Sequence, residues 1–344
     1  MEIYFLDDEF SILDGPIDEI TSAVVEERYF DVGSFTLRFP KSIFRRADEA
    51  SYVLISDSGG EICGRVDYLS ASYDDECEMG GGLLETLISD VIMQGGITYS
   101  GKLSDVIRSV LIDNLSHSGI TVSAEMPPLF DEVTFMSDWT DLASFLYGVL
   151  RPYGASLRVV LKCGIPTVEI YTGRDLTSNS ARDGGCAVFS ASLGNITSLE
   201  YEKNTAEWKN YAYVVSGDGE VVTVDKSGGK TRREIIRKAS DIRRENFLTE
   251  GEYVSALIRR GEEALSEYPE AVSVYAECDS GALPVYGVDY ALGDICDAAD
   301  DELGLSFALR VSSVSTVYED GVRSHYPTFG HVVRYFHKSN ASIL

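Results

Sequence analysis

Two stretches of the chain carry nearly the same pattern: RVDYLSASYDD at Arg65–Asp75 and RVSSVSTVYED at Arg310–Asp320. Aligned without a gap, Arg65/Arg310, Val66/Val311, Ser70/Ser315, Tyr73/Tyr318 and Asp75/Asp320 coincide, and Leu69/Val314 and Asp74/Glu319 are like for like. Each stretch stands late in a β-rich half. Each follows another short strand-like segment, Tyr52–Asp57 or Ile295–Ala298. Chance similarity between two amphipathic strands is the plain alternative. Two copies of one β-domain, separated by material of another kind, is the organisation the rest of the chain suggests.

Outward from the first stretch, residues 1–95 read as strands: Thr21–Glu27, Ser34–Phe39, Tyr52–Asp57, Cys63–Tyr73 and Cys77–Gly80, bounded by Gly, Pro or acidic turns. Phe35, Leu37 and Phe39 alternate with Ser34, Thr36 and Arg38, so one face is apolar and one polar. In residues 96–192 the period lengthens. Leu103, Val106, Ile107, Val110, Leu111 and Leu115 fall on one helical face. A second helix is expected over Trp139–Leu150, capped by Asp138 and stopped by Pro152 and Gly154. Strands Ser156–Lys162 and Thr167–Tyr171 follow, turning at Gly164 and Pro166. Residues 193–344 return to strands. Tyr211–Ser216 and Glu220–Val224 flank Gly217-Asp218-Gly219, a hairpin signal. A helix is expected over residues 250–267, with Thr249 and Glu252 as a capping box and Pro269 beyond its end. Ala271–Ala276, Ile295–Ala298, Phe307–Tyr318 and Val332–His337 complete the strands. The expected fold is α+β, mainly β: a first β-barrel in 1–95, an α/β insert in 96–192 and a second β-barrel in 193–344 carrying a helix.

The 344 residues include 56 acids against 29 bases, a formal charge of −27. Such a surface repels phosphate backbones, which argues against specific nucleic-acid binding. Met1–Phe10 has four acids and no base, unlike a signal peptide, and no apolar run reaches the ~18 residues of a membrane span. Cys63, Cys77, Cys163, Cys186, Cys278 and Cys296 are widely spaced and read as reduced thiols of a chain made in a cytoplasm.

No catalytic, cofactor or metal site is expected. Asp57-Ser58-Gly59 and Asp279-Ser280-Gly281 resemble the paired triplets of aspartic proteases, but Glu277 and Cys278 are a poor apolar lead-in and D-S-G is an ordinary turn. Gly229-Lys230-Thr231 lacks the phosphate-loop glycine five residues earlier, where Val224 stands. Asp7-Asp8, Asp74-Asp75 and Asp300-Asp301 are pairs that so acidic a composition produces unaided. Asp294–Glu302 lacks the glycine of a calcium loop. Of His117, His325, His331 and His337, the last two are too far apart along a strand to share a metal. One segment stands out: Lys226, Lys230, Arg232, Arg233, Arg237, Lys238, Arg243 and Arg244 gather eight of the 29 bases. It is either a solvated face or a dock for an acidic neighbour, such as a second copy of the chain.

Several stretches carry a family likeness: Ile20–Pro40 with Gly33-Ser34-Phe35-Thr36-Leu37, Gly64-Arg65-Val66, and Asn210-Tyr211-Ala212-Tyr213-Val214. Asp289-Tyr290-Ala291-Leu292-Gly293-Asp294-Ile295 is the most telling, followed by Arg310-Val311 and Thr328-Phe329-Gly330. Over residues 1–335 the chain resembles the tail hub proteins of long-tailed bacteriophages and phage-like particles. The group includes the trimeric baseplate hub of contractile tails and the N-terminal region of tail-associated proteins in non-contractile ones. The resemblance implies two like β-barrel tube domains and a structural, non-enzymatic role. It also implies a homotrimer that joins the end of the tail tube, or a distal tail protein, to a tip or spike protein and lets the genome pass. The expected location is the virion tail tip, after synthesis in the bacterial host cytoplasm, with no cofactor and no membrane insertion. The competing expectations are a cell-wall hydrolase or peptidase on a β-scaffold and a carbohydrate-binding adhesion module. The hub assignment requires two superposable β-barrels built around Arg65–Asp75 and Arg310–Asp320.

Overall fold

The computed structural model describes residues 1–337 apart from 58–59, 72–75, 181–184, 279–282, 301–303 and 320. The side chains of 197–199, 271–278, 305 and 331–337 are also outside the description. Two compact units result: Met1–Glu200 with Val274–Leu344, and Tyr201–Ser273.

One long sheet carries most of the large unit, with residues 201–204 and 271–273 of its strands belonging to the small unit. From edge to edge its main path runs Ile196–Asn204, Ala271–Cys278, Val322–His337, Leu305–Glu319, Ser22–Arg28, Ser34–Pro40, Glu76–Gly82 and Tyr68–Ala71. In chain order, the four strands contributed by each half lie first, second, fourth, third. The same four-strand arrangement therefore occurs twice, side by side. The seam is the antiparallel pairing of Leu305–Glu319 with Ser22–Arg28, from Ser313↔Arg28 to Glu319↔Ser22. Among the described residues this path is open at both edges and does not form the two separate closed barrels expected from sequence.

The two echoing stretches hold matching places. Arg65 pairs with Tyr52, the first residue of its strand, and Arg310 pairs with Ile295, the first residue of its own. Further along, Ser70 faces Glu78 in the fourth strand of its half, and Ser315 faces Tyr326 in the equivalent strand. The strand expected over Cys63–Tyr73 is interrupted, however, into Gly60–Arg65 and Tyr68–Ala71. The reason is local: the Asp67 carboxylate accepts the Gly82 amide at 3.0 Å and the Arg65 guanidinium at 2.8 Å, turning the chain at Val66–Asp67. At the equivalent point the second copy stays continuous but shifts register between Val311 and Ser313. Residues 72–75 and 320 lie outside the described part.

Under this sheet, Val25, Phe35, Leu37, Phe39, Val53, Ile55 and Met79 form one core. A second core belongs to the α/β segment. Helix Leu103–Leu115 buries the six residues named from its spacing. The next helix is shorter than expected, Leu142–Leu150. Its cap is Asp141, whose carboxylate accepts the Ser144 amide at 2.7 Å, and not Asp138. Trp139, expected on the buried face, is 71% exposed, because Thr140–Asp141 is drawn into a short pairing with Ile92–Met93. Ala155–Lys162 and Ile165–Thr172 form the expected hairpin, with the turn at Cys163–Gly164. Both have positive φ, and Pro166 is inside the strand opposite Leu161.

In the small unit, strand Tyr211–Ser216 lies between Val221–Asp225, antiparallel, and Glu234–Ala239, parallel. Helix Glu250–Ser266 carries the expected capping box of Thr249 and Glu252. Tyr253 and Leu257 of the helix pack on Val214 and Ala239, and Gly261 lets it approach Val224 closely.

Candidate functional site

The stretch Asp289–Ile295 lies at a buried junction of the large unit. The Gly293 backbone, at φ +90°, lies flat on the ring of Tyr29, where an added Cβ would sit 2.1 Å from a ring carbon. The Tyr29 hydroxyl donates to the Gly154 carbonyl at 2.8 Å and accepts the Gly173 amide at 3.1 Å. Arg310, from the second echoing stretch, donates to the Gly293 carbonyl at 2.6 Å and stacks over Tyr29 at 5.2 Å. Asp294 is 2% exposed and accepts the Arg174 amide and guanidinium, at 2.7 and 2.6 Å. Tyr290 packs edge-on to Phe189 at 5.0 Å. One knot thus ties the first half (Tyr29), the α/β segment (Gly154, Gly173, Arg174) and the second half (Gly293, Asp294, Arg310). Its groups are saturated by one another, which suits a structural joint and leaves no reactive group exposed.

The basic segment lies wholly in the small unit. Lys226 bridges Glu262 at 3.0 Å, Arg232 approaches Asp225 at 3.7 Å, Arg243 approaches Glu245 at 3.9 Å, and Arg237 pairs with Glu267. Arg244 bridges Glu220 at 2.6 Å and also Glu250. Lys230 and Arg233 sit over the ring of Trp208 at 5.8 and 5.7 Å, and Lys238 is exposed on strand Glu234–Ala239. These exposed pairs are individually weak. Their sum matters more: residues 201–273 hold 12 of the 29 bases and only 14 of the 56 acids, so the small unit is nearly neutral and the large unit carries almost all of the charge. Trp208 was not legible as part of this cluster, since its cationic partners lie over twenty residues away.

The catalytic look-alikes are not assembled. Asp57 accepts Arg323 at 2.7 Å and the Tyr318 hydroxyl, while Asp279–Gly281 lies outside the described residues. Gly229-Lys230-Thr231 precedes a strand, not a helix whose N-terminus could hold phosphate. His117 is exposed. His325 bonds Thr316 at 3.0 Å and is held down to about 4 by burial. The side chains of His331 and His337 lie outside the described residues. Cys63, Cys77, Cys163, Cys186 and Cys296 are free thiols, and burial pushes Cys63 up to about 12. Among the described residues no cluster of three or more His, Cys, Asp or Glu could hold a metal, and no helix is long and apolar enough to cross a membrane.

The fold is that of phage tail proteins. The 43 kDa tail protein of prophage MuSo2 from Shewanella oneidensis superposes with a TM-score of 0.62 at 14% identity, covering 96% of this chain and 98% of that one. A tail protein from Neisseria meningitidis MC58 gives 0.61 at 12% identity, covering 96% of each chain. Prophage tail protein gp18 from Listeria monocytogenes EGD-e gives 0.57 at 11%, covering 98% of this chain and 96% of that one. No curated protein matches the chain by sequence. The chain belongs to the Siphovirus ReqiPepy6 Gp37-like protein family, whose pattern it matches over residues 1–331.

Proposed function

We propose that the chain is the tail hub: a homotrimeric ring at the distal end of the tail tube that receives a tip or spike protein and encloses part of the channel for genome passage. The observation that carries this is the doubled sheet. Its two open edges, Ile196–Asn204 and Tyr68–Ala71, are the first strand of one half and the third strand of the other. Strands of those same two kinds already pair at the seam between the halves. An edge of one copy is therefore suited to the opposite edge of the next, a head-to-tail contact that repeats until a ring closes. Three copies would offer six near-equivalent modules, matching a six-fold tube on one side and a three-fold tip on the other. On this view, residues 1–95 and 193–344 supply the two like tube modules, with 96–192 as the insert between them.

The charge distribution supports self-association of an acidic protein. The small unit gathers the basic strip from Lys226 to Arg244, and docking it near the acidic large unit of a neighbour would offset the repulsion between copies. Purified tail tips test the function: hub and tip proteins in a 3:3 or 3:1 ratio are expected. Six copies around the tube, or location along the whole tube, would contradict it.

A further inference from the structure

A cavity of about 380 Å³ opens in the large unit beside strand Ser22–Arg28, within the size range of small-molecule sites. Its lining includes Glu27, Glu85, Arg158, Tyr171, Arg174 and Tyr286. Every arginine of the lining already has its own carboxylate. Arg28 bridges Glu26 at 2.9 Å, Arg158 bridges Glu169 at 2.8 Å, and Arg174 bridges Asp294 at 2.6 Å. The other two acids of the lining, Glu27 and Glu85, form no ion pair among the described residues, and Arg158, already bridged to Glu169, acts on both only from a distance. Among the described residues, Glu27 accepts only the Tyr286 hydroxyl, at 3.1 Å. Glu85 is 8% exposed. Its Oε1 accepts the Val159 amide at 3.1 Å, and its Oε2 is buried with no hydrogen-bond partner among the described residues. A buried acceptor left open in this way costs free energy comparable to a lost hydrogen bond.

We propose that this cavity is a binding site for a small organic cation, a guanidinium or alkylammonium group, held between Glu27 and Glu85 against the rings of Tyr171 and Tyr286. Such a group supplies what the site lacks: positive charge and several N–H donors, with a carbon stem that suits the aromatic wall. A bare metal ion suits it less, since no three ligating side chains converge there. The two carboxyls are under electrostatic strain in the direction this predicts. Desolvation raises the Glu85 carboxyl to about 7, with the Glu27 charge adding to the rise, and desolvation also raises Glu27, with Asp57 acting in the same direction and the Tyr286 hydroxyl and Arg158 opposing it. The charged or titratable groups around Glu85 are Glu27, Arg158, Tyr147 and Tyr171. A bound cation would draw Glu85 back to its ionised form and release a proton.

The source is either a free amine or a Lys or Arg side chain of a protein partner. Calorimetry on the full chain at pH 7 separates them, using methylguanidinium and 1,4-diaminobutane in one arm, amidated Gly-Arg-Gly and Gly-Lys-Gly in the other, and N-methylurea as neutral control. Saturable binding of a cation but not of the urea is expected, with proton release visible as a dependence of the heat on the buffer. Glu85→Gln and Glu27→Gln should each weaken it at least tenfold, while the exposed Glu61→Gln leaves it unchanged. Binding in the first arm identifies a free amine; binding in the second arm alone identifies a side chain. No saturable binding in either arm, or binding indifferent to both glutamine variants while they remain folded by circular dichroism, would overturn the proposal.

Discussion

The Tyr29 hydroxyl serves two backbone groups from different parts of the large unit, Gly154 and Gly173, while its ring supports Gly293 and stacks with Arg310. Tyr29→Phe leaves both backbone groups unpaired in a buried site and should destabilise by about 1–3 kcal/mol. Gly293→Ala adds left-handed backbone strain to a collision with the Tyr29 ring, and a loss of about 3 kcal/mol is expected. Chemical denaturation measures both, and a change below the experimental error in both would disprove the joint. Gly293 and its neighbours stood out in the sequence through the family resemblance that Asp289–Ile295 carries. Tyr29 did not, since nothing local marks an aromatic whose partners lie over a hundred residues away.

Glu85 gives a prediction with a definite sign. Its folded-state carboxyl, raised by burial from 4.5 to about 7, holds its proton more tightly than in the unfolded chain. The penalty is absent below about pH 4.5, grows as pH rises and is complete above about 7, where it reaches about 3 kcal/mol. Glu85→Gln should therefore gain stability relative to the parent between pH 5 and 8, in urea titrations without added amine. A difference constant across that range would show that Glu85 titrates normally.

At the level of elements, the strands and the main helices were readable because alternation and helical spacing are local properties. Helix Leu103–Leu115 matches its apolar spacing residue for residue. The failures have tertiary causes. Trp139 suits a helical face by spacing, but pairing of Thr140–Asp141 with Ile92–Met93 holds that stretch extended and moves the cap to Asp141. The break at Val66–Asp67 depends on Gly82, fifteen residues on, which offers its amide to Asp67. The short strand Tyr68–Ala71 that follows is an edge, and an edge used for assembly should tolerate substitution unevenly. Amides of adjacent residues point to opposite sides of a strand. Of Leu69→Pro and Ser70→Pro, one removes a bond to Glu76–Gly82 and lowers stability, and the other removes only the outward-facing donor. The second variant should fold with near-parental melting behaviour yet fail to enter tail tips. Normal incorporation of both variants would show that this edge is not an assembly surface.

For the whole molecule, the described parts of the two like stretches, Arg65–Ala71 and Arg310–Glu319, hold matching pairing positions. Matching pairing registers and the repeated strand order place both stretches alike. What eleven residues could not convey was that the two halves share a single sheet, because joining them depends on Ser22–Arg28 meeting Leu305–Glu319 across the length of the chain. The concentration of acids in the large unit has its own consequence. Duplex DNA at physiological salt should not bind, since repulsion acts over a Debye length of ~8 Å on any surface the genome passes. A salt-sensitive shift in a gel would contradict that.

The central claim is the head-to-tail ring, and disulfide trapping across the two open edges tests it most directly. Ser70→Cys is combined with a cysteine placed in turn at each position from 196 to 204, and intact tail tips are oxidised before denaturing electrophoresis. The ring predicts that a subset of these pairs, spaced by two residues along the strand, yields covalent dimers and closed trimers, whereas either cysteine alone yields neither. If no pair cross-links in assembled tips, or if the products extend beyond trimers, the edges do not meet as a closed three-fold ring.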